Sequence, residues 1–409
     1  ELVLKEESIR FPSVHRLAAK LNWTDKETEE RLEKLKKQKK AARKSKKVLQ
    51  SRRLYGNIEA LSGKNSATKG KYGMKTYGIV LIGCGHIGLA HLTDIYYRDN
   101  VRIVACVDTN LSAAREAARR FGALAFGPDY RPFLERADVD ICIIATYTAS
   151  HLPIMQDCFA HGKHVLCEKP IAGSLEEGEA FVRAVKASKQ KCLVAHILRH
   201  NDSYRKIKSL IDDGVIGRPV LIRMAQNHHT MNWERYKKLL ADCSPIIDCG
   251  VHYTDVAQWF TGQKITKVWG MGTTIESDAP TYNYGIMNFE MDGGCRGYYE
   301  AGWSKSTASC NLKEFIGTKG RISLTLSEMR DRDREEGDRI EIYHSDTGVY
   351  ETINNISTYK NMYGQLMTLI DMIETDSDGD PTIDEVFSAF KAALLADKAI
   401  RENRILTVD

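Results

Sequence analysis

The chain has 409 residues, 43% hydrophobic and 28% charged, with a formal net charge of +5. That is too long for one ordinary core, so two or three domains are expected, and the composition excludes disordered and fibrous classes. No stretch approaches the roughly 18 uninterrupted apolar residues of a membrane span, and the first residues lack a basic-then-apolar signal pattern, which leads us to expect a cytoplasmic protein.

The charge is unevenly distributed. Residues 1–75 carry 21 Lys/Arg against 9 Asp/Glu, whereas the remainder carries 38 against 45. Such asymmetry predicts a separate module at residues 1–73. Residues 10–35 read as two short helices. Leu17, Ala18 and Leu21 form one apolar face, Asn22-Trp23-Thr24 a turn, and Leu32 and Leu35 a second face. The spacing resembles a winged helix-turn-helix, and the basic run Lys34 to Arg53 follows it. A nucleic-acid role is the weaker reading, because the second helix carries Asp25, Glu27, Glu29 and Glu30, which would repel phosphates. Packing on a partner subunit is the stronger one. Ser62 to Gly73 reads as a polar linker.

From Tyr77 strands alternate with helices. Tyr77–Ile82 is an apolar strand, Gly83-Cys84-Gly85-His86-Ile87-Gly88 a glycine turn, and Leu89–Arg98 a helix. Val101–Val107 is a second strand ending at Asp108, followed by a helix at Leu111–Phe121. Asp140–Ala145 and His164–Cys167 are further strands around a helix at Leu152–His161. This alternation predicts a doubly wound parallel sheet at residues 74–197. After Leu198 a helix at Arg205–Asp213 precedes a series of strands. These are Pro219–Ala225, Ile265–Met271, Tyr284–Glu290, Gly297–Ala301, Lys313–Ile316, Ile322–Leu326 and Arg339–His344. Without a helix between each pair, they predict an α+β domain with a mainly antiparallel sheet at residues 198–409, closed by helices at Asn361–Thr375 and Asp384–Glu402.

The glycine turn carries a cofactor expectation. Gly83 permits the tight turn, Gly85 lets the backbone approach a pyrophosphate, and Gly88 permits close helix–sheet packing. His86 and Ile87 open the helix, whose N-terminus faces the phosphates. Asp108, twenty residues after Gly88, accepts from ribose hydroxyls and would repel a 2′-phosphate. Neither Thr109 nor Asn110 supplies a cation, so NAD is favoured, with NADP the alternative. Thr146, Glu168 and Lys169 lie at the carboxyl ends of later strands, where ligands of such sheets sit.

A third element is Asp248-Cys249-Gly250-Val251-His252-Tyr253-Thr254-Asp255. On a helix, Asp248 and His252 share a face, and an aspartate there would raise the imidazole's basicity. Cys243, Cys249 and His252 do not make a convincing zinc site, because the spacing is wide and a fourth ligand is lacking, so no metal is expected. The apolar runs around Cys106, Cys142 and Cys192 fit buried free thiols.

In this order and at these separations, the glycine turn, Glu168-Lys169-Pro170 and the Asp248–Asp255 motif resemble the Gfo/Idh/MocA oxidoreductase family over about residues 76–409. Ile211-Asp212-Asp213-Gly214-Val215-Ile216-Gly217 with Pro219 is also similar to that family's entry into its second domain. The resemblance implies hydride transfer between NAD and a sugar, cyclitol or related polyol. Lys169, Asp248 and His252 would then be at the active site, and a homo-oligomer would form through the antiparallel sheet. The sequence departs from the family at Thr146-Tyr147, at Ser244-Pro245-Ile246-Ile247 and at Arg199-His200-Asn201-Asp202, all near the expected substrate. His252 is assigned as acid/base, Asp248 as its partner and Lys169 as the cation polarising the reacting oxygen, with the roles of Lys169 and His252 exchangeable. His151, Arg199, Asn227, His228 and Trp233 are pocket candidates. Two other readings remain open: elimination chemistry of the NAD-dependent glycosidase type, and a non-catalytic metabolite sensor.

Overall fold

The computed structural model describes residues 75–408 apart from 230–231, 308, 327–336 and 358–359. The expected helical module at 1–73 lies outside the described residues. Strands β1 (Tyr77–Ile82), β2 (Val101–Val107), β3 (Ala125–Gly127), β4 (Ile141–Ile144), β5 (His164–Cys167) and β6 (Cys192–Val194) form one parallel sheet in the order β3-β2-β1-β4-β5-β6. Every residue of β1 and β4 is buried. Their unbroken apolar runs are what a sheet covered on both faces requires. The strand order reverses between β1 and β4, and this opens a crevice beyond their carboxyl ends.

The covering helices are α1 (His86–Ile95), α2 (Leu111–Phe121), α3 (His151–Ala160) and α4 (Leu175–Ala187). Asn110 caps α2 by accepting from the Ser112 and Ala113 N–H groups, and Ser174 caps α4 through the Glu177 N–H. The sequence reading starts α1 at Leu89. The helix in fact begins at His86, directly on the glycine turn, so its free N–H groups face the crevice. The sequence reading assigned no element to α4.

After α5 (Asp202–Asp212) comes a nine-stranded sheet, order β14-β13-β12-β11-β7-β10-β9-β8-β15. It comprises β7 (Pro219–His229), β8 (Ile265–Thr273), β9 (Tyr284–Met291), β10 (Arg296–Ser304), β11 (Lys313–Gly317), β12 (Gly320–Thr325), β13 (Asp338–His344), β14 (Tyr350–Asn355) and β15 (Leu406–Thr407). All its pairings are antiparallel except β7 with β10. The alternating burial of β9 is that of a sheet with one face covered. Between β7 and β8 lie α6 (Trp233–Asp242), the short α7 (Pro245–Asp248) and α8 (Gly250–Thr261).

The chain then returns to the first sheet. Helix α9 (Met362–Thr375) puts Leu366, Leu369 and Ile370 into the core beneath β1 and β4. Helix α10 (Ile383–Glu402) serves both domains. Val386, Phe390 and Ala393 join the core of the parallel sheet, and Ala392, Ala396 and Ala399 that of the mixed sheet. Its start is fixed by a reciprocal cap between Thr382 and Glu385.

Phe390 is fully buried, and a Cβ on Gly178 of α4 would lie 2.5 Å from its ring. We therefore expect Phe390→Ala to cost about 3–5 kcal/mol in urea unfolding, because the fitted backbone at Gly178 cannot close the void. A loss under about 1 kcal/mol would mean that α4 and α10 are not locked together here.

Candidate active site

The crevice continues into a cleft of about 1470 Å³ lined by both domains. At its dinucleotide end, Gly83 has φ +97°, and a Cβ there would lie 2.4 Å from the Ala145 carbonyl oxygen. A Cβ on Gly88 would lie 2.0 Å from the Gly83 oxygen, whereas one on Gly85 would meet nothing within 4 Å. Gly85 therefore borders open space. Helix α1 has no side-chain cap and no acid in its first turn, so its N–H groups remain available to an anion. Asp108 accepts from the Cys84 N–H and the Asn110 N–H, both at 2.8 Å. A carboxylate oxygen has two lone pairs, which leaves acceptor capacity for a diol. His86, Ile87, Asp108 and Thr146 all line the cleft, and the Thr146 hydroxyl lies 2.7 Å from that of Ser150. This open cradle, uncapped helix and fixed acid fit a dinucleotide.

Toward the second domain, Glu168 is anchored by His91 Nε2 at 2.8 Å. Burial acts to raise its pKa, but the His91 hydrogen bond and the nearby His91, Lys169 and Lys360 charges outweigh it, and the pKa falls below its ordinary value. Lys169 Nζ donates to the Asp248 carboxylate at 2.8 Å and to the Asp248 carbonyl at 2.9 Å. Burial disfavours its charge, but the Asp248 carboxylate outweighs burial and holds the ammonium above its usual pKa. Burial likewise opposes ionisation of Asp248, and Lys169 reverses this. The two side chains keep 15% and 27% of their surface, enough for a ligand to reach them.

His252 lies in the first turn of α8. Burial, then the Lys169, His196 and Lys360 charges, push its pKa well below the usual value, so the ring is neutral. Its Nδ1 is buried without a hydrogen-bond partner, and His196 packs against the ring at 6.1 Å, edge to face.

The expected Asp248–His252 pair does not form. Ser244 caps the short α7, Pro245 opens it, and α8 starts only at Gly250, so the two residues are not on one helix. The Asp248 carboxylate turns to the ammonium, whose full charge attracts it more than a neutral imidazole does, and the basicity of His252 falls instead of rising. Of the five pocket candidates, only His228 lines the cleft. Burial lowers its pKa, with Asp248 opposing. Arg199 is buried in an ion-pair network with Asp255 and Asp380. His151 Nδ1 bonds the Pro170 carbonyl at 2.9 Å and fixes the turn after Lys169. The Asn227 amide donates to Glu300 on the far side of β7, since strand alternation sends Gln226 and His228 inward. The Trp233 indole donates to Asp278 at 3.0 Å.

Sequence reasoning missed Lys360, Gln226, Trp303 and Arg235, which also line the cleft. None belongs to a motif, and long-range packing alone brings them there. Among the described residues no three His, Cys, Asp or Glu are grouped to hold a metal, and no helix is long and apolar enough to cross a membrane. All ten cysteines are free.

A dinucleotide cradle facing a lysine–aspartate pair and a neutral histidine defines a class, the nicotinamide-dependent oxidoreductases of Rossmann type. The family description "Oxidoreductase family, NAD-binding Rossmann fold" matches residues 77–196, and "GFO/IDH/MocA C-terminal domain" matches 204–323. The chain belongs to the Gfo/Idh/MocA family. It is 31% identical to inositol 2-dehydrogenase of Burkholderia ambifaria over 196 residues, 47% of this chain and 56% of that protein. The match thus spans little more than half of that relative. It is 28% identical to scyllo-inositol 2-dehydrogenase (NAD(+)) of Bacillus subtilis, covering 60% of this chain and 72% of that one. Scyllo-inositol dehydrogenase from Lactobacillus casei, solved with NAD(H) and scyllo-inositol, shares the fold. Its TM-score is 0.67 at 23% identity, over 82% of this chain and 99% of that one.

Buried neutral histidines give a pH signature. His200 is lowered from 6.5 to about 4, first by burial and then by Arg205. A depressed folded pKa means that the unfolded chain binds more protons below pH 6.5. Stability is therefore complete above 6.5 and falls as pH drops toward 4. The urea midpoint should decline over that window, and His200→Gln should flatten the decline. A midpoint unchanged between pH 7 and 4.5 would mean that the rings are not held neutral.

Proposed function

We propose that the protein is an NAD-dependent oxidoreductase that oxidises a hydroxyl-bearing carbon of a sugar, cyclitol or related polyol. The observation that carries this reading is a charged Lys169 and a neutral His252 sharing one cleft with the dinucleotide cradle, and the named activities of the relatives support it. Bound NAD supplies the hydride acceptor, with Gly85, the α1 N-terminus and Asp108 holding its phosphates and ribose. Lys169 donates a hydrogen bond to the reacting hydroxyl oxygen and stabilises charge as it develops there. His252, neutral, takes the hydroxyl proton on Nε2. Asp248 keeps Lys169 protonated and aimed, which favours this division over the exchanged one.

We further assign the chain to a reducing cytoplasmic compartment, supported by ten free thiols. We also assign it to a homo-oligomer, supported by the uncovered sheet face that carries Trp269, Met271, Ile286 and Tyr298. Met271 on that face is 67% exposed.

The test is a dehydrogenase screen with NAD across sugars, cyclitols and their keto forms. NAD should bind several-fold more tightly than NADP in isothermal titration, and Asp108→Ser should weaken NAD and narrow the gap. A preference for NADP would remove Asp108 from the ribose.

On the polyol that the screen identifies, Lys169→Ala and His252→Ala should each lower kcat about 100-fold or more. NAD affinity should stay near the parent value, because the cradle lies at the other end of the cleft. Near-normal turnover by a folded His252→Ala protein would move the acid/base role elsewhere.

A further inference from the structure

His252 is a weak base where it stands. Burial first, and then the charges of Lys169, His196 and Lys360, disfavour its imidazolium. The ring lines the cleft, and of its two nitrogens Nδ1 is buried without a hydrogen-bond partner. For Nε2 to take a proton, Nδ1 must already carry the hydrogen, and a buried N–H without an acceptor is costly. A base built this way needs a group behind it.

His196 occupies that place. It lies two residues past β6, with its side chain 1% exposed. Its ring meets that of His252 edge to face, 6.1 Å between centroids. Neither of its nitrogens makes a hydrogen bond. Its Nδ1 stands 3.5 Å from the Asp255 carboxylate, which leaves Nε2 as an unused acceptor. Asp255 follows His252 by three residues on α8, so one turn of that helix brings both to the same ring. The Arg199 fork also holds Asp255, at 2.7 and 3.0 Å, but it shares its charge with Asp380 at 2.8 Å and Glu385 at 3.3 Å. Burial opposes ionisation of Asp255, but His196 and Arg199 outweigh it and hold the carboxyl down at about 2. On the turn after His196, His200 is neutral, lowered to about 4 first by burial and then by Arg205.

We propose that His252 and His196 form a two-ring proton relay ending at Asp255, with His196 the positioning residue that lets a buried, neutral imidazole serve as base. This rests on the polyol-oxidising reading above. The hydride of the hydroxyl carbon is taken up by bound NAD, the two-electron oxidant of that reading. The substrate O–H bond breaks and its proton goes to His252 Nε2. The His252 Nδ1–H bond breaks in turn and that proton goes to His196 Nε2. His252 thus ends neutral, in its other tautomer. The positive charge comes to rest on His196, against a carboxylate instead of against the Lys169 ammonium. The perpendicular rings are joined by no hydrogen bond in the structure, and a turn of the His196 ring about its Cβ–Cγ bond completes the relay.

The experiment uses the full chain with NAD on the polyol that the screen identifies, across about pH 5 to 9. His196→Phe keeps the ring contact and removes both nitrogens. His196→Gln keeps an acceptor for the His252 Nδ1–H but cannot pass a proton on. Both should lower kcat about tenfold or more, with KM and NADH affinity near the parent values. Both should also move the acid limb of kcat/KM to lower pH. In the parent a proton on His196 blocks the relay, whereas in the variants only His252, with its lowered pKa, is left to titrate. Folding is checked by the urea midpoint. The parent supplies a measurement that needs no variant: kcat/KM against the deuterium fraction of the solvent should curve, because two protons move together. A straight line overturns the relay. So does a Gln variant with parental kcat, which would leave His196 only holding the ring, and so does an acid limb unmoved in the folded variants. If His252→Ala is inactive, each of these results leaves the acid/base reading standing. Near-normal turnover by His252→Ala overturns that reading, and this proposal with it.

Discussion

The Lys169 ammonium held by the carboxylate and carbonyl of Asp248 is the contact on which the cleft depends. Lys169 ends a strand of the parallel sheet, and Asp248 ends a short helix that packs on the mixed sheet, so this single pair fixes one domain's chemistry against the other's. Breaking a fully buried pair costs on the order of 3–5 kcal/mol, because the remaining charge is left unsolvated. Here 15% and 27% of the side chains remain exposed, so the cost is smaller and the pair stays open to exchange with a ligand. Helix α10, packed into both cores, supports the same relation and spares the pair from carrying it alone.

The pair also bears on the state of its neighbour. Burial first, and the Lys169 charge after it, make a positive charge on the imidazole costly, so His252 stays neutral. Lys169 is thus held as a charged donor, and His252 is left as a neutral imidazole of lowered basicity. Asp248 bears on both, since the charge it keeps on Lys169 adds to the burial that keeps His252 unprotonated.

Much of this arrangement was legible in the sequence because it is local. The strand–glycine turn–helix unit, the acid at the end of β2 and Glu168-Lys169-Pro170 each declare themselves within a few residues. What was not legible depended on distance or on breaks in periodicity. The spacing of Asp248 and His252 suggested one helical face, but Ser244 and Pro245 build a separate turn of helix first, and the aspartate finds a partner 79 residues away. Arg199 looked like a pocket residue and proved to be buried in an ion-pair network with Asp255. Lys360 had no motif at all. The parallel β7–β10 pairing was hidden too, since strand patterns carry side-chain alternation but not direction.

Cofactor selection has a structural consequence of its own. The Asp108 carboxylate that would face the ribose also accepts the Cys84 N–H, in the middle of the glycine turn, and the Asn110 N–H that leads into the cap of α2. The acid therefore braces the turn whose backbone would meet the phosphates. On the reading proposed above, replacing it would remove a repulsion toward a 2′-phosphate, but it would also free a backbone donor between Gly83 and Gly85. A residue chosen only to admit NADP would loosen the phosphate cradle as well. On that reading, a change of selectivity at the ribose calls for a compensating acceptor for the Cys84 N–H.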